Sequence, residues 1–298
     1  MHVLAFIPSP HSGSVHLGPL QLHMYGLTLL IAILACIWLT GRRWVAMGGD
    51  WDLVTRVAVW GVGFGVVGAR LYHDITSWSE VPTPKWKGVF EVWQGGLGVW
   101  GGILFGTIAG AIVVHRSGNS VTKFMDAVAP GLLLAQGIGR IGNWWNQELY
   151  GKPTTLPWGL KIDPAHRPVQ YFDRATFHPT FLYELIWDFA GVALLLWIDR
   201  RYKLRPPSLF ALYVSYYCFG RFFEELLRID PAHHFFHLRL NAWVSIVVFV
   251  CSTAFFVWWQ LLGHGWEPPP APKRKEQPRE LPKGPKMSVP QTRVRPRR

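Results

Sequence analysis

The sequence predicts an all-α fold: a polytopic membrane protein with seven transmembrane helices, its N-terminus outside and its C-terminus cytoplasmic. Three observations lead there. Of the 298 residues, 50% are hydrophobic and only 16% are charged, whereas a soluble domain carries about a quarter charged residues. Seven segments, 20–39, 52–72, 97–115, 124–142, 181–199, 208–227 and 241–262, have roughly the ~20-residue apolar length that crosses a hydrocarbon core as a helix. Finally, Lys and Arg gather at alternate segment ends.

Taken in order, the segments justify that topology. The first follows a stretch with Pro8, Pro10 and Pro19 and no basic run, so no secretory leader is expected. It is closed by Arg42 and Arg43. The second contains Gly61-x-x-x-Gly65, a spacing that lets helix backbones approach closely. The third and fourth carry glycines and Pro130, which membrane helices tolerate, and each is open to a partly re-entrant reading. Arg116 and Lys123 lie between them; Arg200, Arg201, Lys203 and Arg205 follow the fifth, and a basic tail follows the seventh. The positive-inside tendency puts these loops and the tail in the cytoplasm. The long connections 73–96 and 143–180, rich in Trp and Pro, then face outward.

The chain therefore divides into a seven-helix domain, 1–264, and a tail, 265–298. Ten of the 30 Lys and Arg lie beyond residue 270, which accounts for much of the net charge of +12. The tail is Pro-rich with few large apolar residues, so it reads as a disordered cytoplasmic extension able to touch anionic lipid. No nucleic-acid partner is expected. Cys36, Cys218 and Cys251 sit singly in apolar segments without metal-ligand spacing and read as buried free thiols.

Polar residues inside such segments are expensive and mark a pathway or a site. Here they fall near one depth, on the outer side, with the inner halves apolar. Tyr25 opens segment one and Arg70 closes segment two. Gly95, Gly96, Gly101 and Gly102 open segment three. Arg140 leads into Asn143, Asn146 and Glu148; His178, Tyr183 and Glu184 open segment five. Segment six carries Tyr217, Arg221, Glu225 and Arg228 on one helical face. That face suits either a structural Glu–Arg network with a snorkelling Arg228 or an anion site. Arg70, Arg140 and Arg221 near one level suggest an anion, because guanidinium binds phosphate bidentately and stays charged when desolvated. An outer-leaflet phospholipid headgroup fits that description. A lipid or anion transporter uses similar arginines but predicts inverted repeats and polar residues through to the inner side; a structural adaptor leaves the arginines unexplained.

The stretch "GRIGNWWNQELYG", Gly139 to Gly151, resembles the signature of bacterial prolipoprotein diacylglyceryl transferases, Gly-Arg-x-Gly-Asn-aromatic-x-Asn-x-Glu-x-x-Gly, at every fixed position. "LQLHMYG" is similar to the family's first-helix motif, with His23 and Tyr25 matching. "GARLYH" resembles its second-helix motif with Arg70, and "HPTFLYE" its His-Pro-Ser-x-Leu-Tyr-Glu stretch, with Thr180 for Ser. "YYCFGRFFEELLR" resembles its sixth-helix motif, carrying Tyr217, Arg221, Glu225 and Arg228. The resemblance covers about residues 15–262. It implies a seven-helix enzyme of the bacterial cytoplasmic (inner) membrane. Such an enzyme transfers the diacylglyceryl group of phosphatidylglycerol to the lipobox cysteine of prolipoprotein signal peptides. The products are a thioether and glycerol phosphate, and neither cofactor nor metal is used.

On that resemblance, Arg140 and Arg221 clamp the phosphate, with Arg70 beside them, and Tyr25 and Tyr217 hydrogen-bond the headgroup or the leaving oxygen. Asn143 and Asn146 hold the glycerol, Glu148 orients an arginine and Gly151 serves a turn. Glu225, Arg228, His178 and Glu184 support the site. The family's histidine after the Gly-Gly pair of its third helix is replaced here by Trp100, whose indole accepts no proton at neutral pH. His23, backed by Glu148, is the local candidate base; a bundle histidine held by hydrogen bonds is the alternative.

Overall fold

The computed structural model describes residues 6–18, 20–92, 95–232 and 234–262; the tail expected at 265–298 lies outside them. Long helices stand at all seven expected segments. They are α1 (Met24–Ala46), α2 (Trp51–Thr76), α4 (Val99–Arg116), α5 (Val121–Asn146), α6 (Thr180–Arg201), α7 (Ser208–Leu227) and α8 (Leu240–Phe256), the last continued by a π turn over Val257–Leu262. A single helical turn, α3 (Lys85–Gly88), interrupts the connection after α2. Side chains start two of the helices: Asp50 accepts from the Asp52 amide and Ser120 from that of Lys123. The third and fourth segments, open to a re-entrant reading, form continuous helices, and Pro130 is accommodated inside α5.

Five of these helices, α1, α2, α4, α6 and α8 with its extension to Gln260, are long and apolar enough to cross a membrane. Their outward faces carry Leu30, Leu34, Trp38, Val59, Ile103, Leu104, Val247 and Val250, all exposed. Charged Arg43, Asp126, Asp188 and Glu225 are buried. Apolar residues outside and charges within invert the arrangement of a water-soluble bundle.

Glycine sets the closest helix contacts. Gly61, Gly65 and Gly68 of α2 face Gly106, Gly102 and Gly101 of α4, and a Cβ on Gly106 would lie 3.0 Å from the Gly61 carbonyl oxygen. The Gly-x-x-x-Gly spacing thus serves backbone approach, as expected. α5 packs against α1, α6 and α7, and α8 lies along α7. On the α1 side, Gly142 of α5 leaves room for the Tyr25 ring.

The end opposite the signature stretch is not purely apolar, contrary to the sequence reading. Arg43 Nη1 binds Asp199 at 2.9 Å, and Nε and Nη2 donate to the carbonyls of Ala127 and Asp126 at 3.0 Å each. Asp126 in turn accepts from the Phe210 amide at 2.9 Å. Short sequence spacing gives no sign of this lock, because it joins the termini of four helices. The thiols also differ from expectation: Cys218 is buried and Cys36 partly so, but Cys251 is exposed on α8.

The connection 143–180 folds into a cap. Strands β3 (Leu160–Lys161) and β4 (Thr176–Phe177) pair antiparallel, and Ile7 adds a parallel bridge to Leu160. Tyr150, Leu160, Ile162 and Phe177 form its core. Two further hairpins frame the same end. One joins β1 (Ser14–Leu17) and β2 (Leu20–His23) before α1, and the other β5 (His234–Phe235) and β6 (Leu238–Arg239) before α8.

Replacing Gly101 by Leu drives a side chain into the Gly68 carbonyl and Tyr72; a destabilisation of about 1–3 kcal/mol is expected from such overpacking. Gly63→Ala, which meets nothing within 4 Å, serves as the control. Thermal unfolding in detergent should separate the two; equal midpoints would contradict the close contact.

Candidate functional site

The signature stretch ends α5 in an unusual backbone. Gln147 and Leu149, on either side of Glu148, both adopt left-handed φ, 51° and 58°. Non-glycine residues rarely hold this conformation unless their surroundings over-determine it. Here they do. Gln147 donates to the Pro10 carbonyl and to Asp163 Oδ2 at 2.8 Å each, and its own Oε1 accepts from the Asp163 amide at 2.7 Å. Thr180 Oγ1 holds the Leu149 carbonyl at 2.5 Å. The turn carries Glu148 back toward α5, where it accepts from Asn143 at 2.8 Å and Asn146 at 3.3 Å.

Four guanidinium groups and four carboxyls meet beside this turn, at the adjoining ends of α5, α6, α7 and α8. Arg140 of α5 binds Glu184 of α6 at 2.8 Å. Arg221 of α7 reaches the other oxygen of Glu184 at 3.4 Å, Glu224 at 3.3 Å and Glu225 at 2.5 Å. Glu225, 2% exposed, also faces Arg228 at 3.7 Å and Arg239 at 2.6 Å. Asp230 completes the set with a two-pronged bond to Arg228 at 2.7 and 2.9 Å and a contact to Arg239 at 2.8 Å. Tyr217 lies within electrostatic reach of Arg140, Arg221 and Glu184. Arg140, Asn143, Glu184, Glu224 and Arg228 line a cleft of about 10 Å³, room for roughly one water.

Most of the expected residues converge here: Arg140, Asn143, Asn146, Glu148, Glu184, Tyr217, Arg221, Glu225 and Arg228. Tyr25 stands close by. Its exposed ring packs over Gly142, two residues beyond Arg140.

Others are placed differently. Among the described residues, Arg70 shares no partner with Arg140 or Arg221. Its guanidinium donates to the carbonyls of Val89 at 3.1 Å, Gly95 at 2.7 Å, Gly96 at 3.2 Å and Gly88, and lies 3.2 Å from the Asp74 carboxylate. It holds the backbone at Gly88, Val89, Gly95 and Gly96. Gly151 makes no turn. Its amide donates to the His178 carbonyl at 3.0 Å, it bridges Arg228, and a Cβ there would sit 2.9 Å from that of His178. Glycine is needed where the cap presses on the ends of α6 and α7. His178 packs in the cap, 3.2 Å from Tyr183 Oη; burial, then Lys152, lowers its pKa and keeps it neutral at pH 7. His23 ends β2 with an exposed side chain. Glu148 is engaged by the two asparagines, so nothing places it behind His23. Trp100 is exposed at the start of α4.

Sequence reasoning missed Glu224, Asp188, Asp230 and Arg239. Glu224 sits three residues after Arg221, on the same face. Asp188 lies one turn beyond Glu184 and is fully buried, with neither oxygen hydrogen-bonded among the described residues; an aspartate in an apolar helix was signal enough. Arg239 precedes α8 and gave none. No group of three or more His, Cys, Asp or Glu arranged to hold a metal occurs among the described residues.

Two outcomes follow from this geometry. Glu225→Gln leaves three arginines facing a neutral amide, and removing one partner of a buried ion pair costs about 3–5 kcal/mol; its unfolding midpoint should fall well below wild type. Asp163 is held below its usual pKa by the Gln147 hydrogen bond and then by His11. Its folded value lies below its unfolded one, so its contribution is complete above about pH 4 and is lost as pH falls through the folded value. Protection of the Asp163 amide, its exchange rate taken relative to the intrinsic rate at the same pH, should therefore fall on acidification below that point, and Asp163→Asn should remove the dependence. Unchanged protection in wild type would contradict the link.

A family model described as prolipoprotein diacylglyceryl transferase matches residues 13–258. A Streptomyces coelicolor protein named phosphatidylglycerol–prolipoprotein diacylglyceryl transferase 2 is 50% identical over 256 residues, covering 85% of this chain and 81% of its own. Proteins named phosphatidylglycerol–prolipoprotein diacylglyceryl transferase from Cutibacterium acnes and Mycobacteroides abscessus are 48% identical (84% of this chain, 86% of theirs) and 41% identical (93% and 82%). The resemblance seen in the signature thus extends along nearly the whole described bundle, and the chain belongs to the prolipoprotein diacylglyceryl transferase family.

Proposed function

We propose that this chain is a phosphatidylglycerol–prolipoprotein diacylglyceryl transferase. It moves the diacylglyceryl group of phosphatidylglycerol onto the lipobox cysteine thiol of prolipoproteins, releases glycerol phosphate, and so begins lipoprotein maturation. The observation that carries this reading is the meeting of Arg140, from the signature, with Arg221, from α7, on the single carboxyl of Glu184. Two guanidiniums converging on one anionic group from different helices form a ready phosphate clamp.

In this reading all seven long helices cross the bacterial cytoplasmic (inner) membrane, with the signature end outward and the tail at 265–298 cytoplasmic. α5 and α7 owe their lower apolarity to the site they carry. The headgroup phosphate takes the place of Glu184 between Arg140 and Arg221, which requires the narrow cleft to open. The thiol attacks the glyceryl carbon while the phosphate leaves as an anion stabilised by the two arginines. Because a free thiol has pKa ~8.5, the same positive charges favour its thiolate. Tyr25 and Tyr217 hydrogen-bond the headgroup, Asn143, Asn146 and Glu148 form its glycerol wall, and Gly151 lets the cap close over them. Arg70, Glu225, Arg228 and His178 hold the surrounding structure.

The test is a mass measurement on purified protein mixed with phosphatidylglycerol and a lipobox peptide: a diacylglyceryl addition is expected. Arg140→Ala and Arg221→Ala should each slow it by about 10²–10³-fold, as loss of a charge-stabilising donor does. No addition by wild type beside an active control, or near-wild-type rates from both variants, would overturn the assignment.

A further inference from the structure

The signature turn has a second side. Between the cap and the segment that follows α7 lies a cavity of about 510 Å³, within the ~300–1,000 Å³ typical of ligand sites. Asn146, Glu148 and Leu149 line it from the turn, Ala165 and Arg167 from the cap, and Ile229 and Pro231 from the segment after α7. Asn143 and Leu149 border the narrow cleft beside Arg140, whereas Asn146 and Glu148 border this larger space. Leu149, held at a left-handed φ of 58°, borders both, so the two spaces adjoin across it.

The charges on the walls narrow the occupant. Asp230 is committed to Arg228 and Arg239. Arg167 donates Nε and Nη1 to the carbonyls of Ile162 and Phe172, at 2.9 and 3.1 Å. Glu148 uses Oε1 for Asn143 and Asn146, and its Oε2 has no hydrogen bond among the described residues. A carboxylate oxygen accepts hydrogen bonds and repels other anions. The cavity therefore suits the backbone N–H groups of a peptide better than a departing phosphate. The second substrate has such a segment at this level. The apolar stretch of a signal peptide ends just before its processing site. With that stretch in the bilayer, the residues after the lipobox cysteine stand at the signature end, where the cap lies.

We propose that this cavity seats the residues that follow the lipobox cysteine of the prolipoprotein, which sets the cysteine at Leu149 beside the cleft; this rests on the transfer reading above. Glu148 Oε2 receives a backbone N–H of that segment. The signature then serves both substrates, Arg140 and Asn143 on the lipid side and Asn146 and Glu148 on the peptide side. No bond is made or broken in the cavity.

The test uses full-length protein, phosphatidylglycerol and two lipobox peptides, one ending at an amidated cysteine and one continuing for several residues. In wild type the longer peptide should have a KM about tenfold lower, the scale of one well-filled pocket. Ala165 is exposed on the helical turn Pro164–His166, so Ala165→Trp crowds the cavity from its rim. It should bring the two peptides within about twofold of each other by raising KM for the longer one, with KM for phosphatidylglycerol held. Equal KM for the two peptides in wild type, or a tenfold preference that survives Ala165→Trp, overturns the proposal. So does a variant whose chief change is in inhibition by added glycerol phosphate, which makes the cavity a product exit. If Ala165→Trp does not accumulate, wild type is crosslinked to the longer peptide through a photoreactive group placed after the cysteine. Attachment within 165–168 or 229–231 supports the site, and attachment confined to the apolar helix faces overturns it. Failure of wild type to modify either peptide overturns the transfer reading, whereas modification of both at equal KM overturns the docking site alone.

Discussion

Guanidinium groups cannot be left unpaired away from water, and the signature end of this bundle is organised around that constraint. Arg140 and Arg221 come from helices far apart in sequence, and Glu184 of a third helix satisfies both. Remove that carboxyl and Arg140 loses its ion pair, while Arg221 keeps Glu224 and Glu225. Keep it, and α5, α6 and α7 are held in one register. The same rule spreads outward through Glu225 and Asp230 to Arg228 and Arg239, which ties the start of α8 to the end of α7. In the proposed function an arriving anion takes over the two guanidiniums at the centre of this network, and the displaced Glu184 carboxyl must find another partner.

The cap makes the centre possible. Two left-handed residues turn the chain immediately after α5 and return Glu148 to Asn143. The turn persists because Gln147, Asp163, Thr180 and the Pro10 carbonyl hold it from several directions. Gly151 then lets the chain lie directly on the ends of α6 and α7. The glycines and polar residues of the signature are thus divided between lining a cleft and bringing backbone segments close enough to enclose it.

Much of this was legible in the sequence. Apolar length located every long helix among the described residues; most ends run a few residues past the apolar stretch, but Leu20–His23, counted within the first segment, pairs as strand β2 ahead of the helix. Arg140, Asn143, Glu184, Arg221 and Glu225 could be found because a polar residue in an apolar segment is conspicuous. Arg70 was equally conspicuous, yet its acceptors are backbone carbonyls of the connection 88–96, which no residue-type pattern reveals. His23 and Glu148 lie near matching motifs, but a strand end exposes one and two asparagines engage the other. The lock of Arg43 with Asp199, and the role of Arg239, depend on which helix ends become neighbours, and spacing along the chain does not encode that. Asp188 and Glu224 stand out in the same way, as acidic residues within apolar helices.

In the proposed function Glu184 stands in for a phosphate between Arg140 and Arg221. A structure determined with phosphatidylglycerol bound tests this most directly. The phosphate is expected within hydrogen-bonding reach of both guanidiniums, with the Glu184 carboxyl displaced from between them. A phosphate bound instead at Arg70, or a headgroup held elsewhere while Glu184 keeps both arginines, would contradict it.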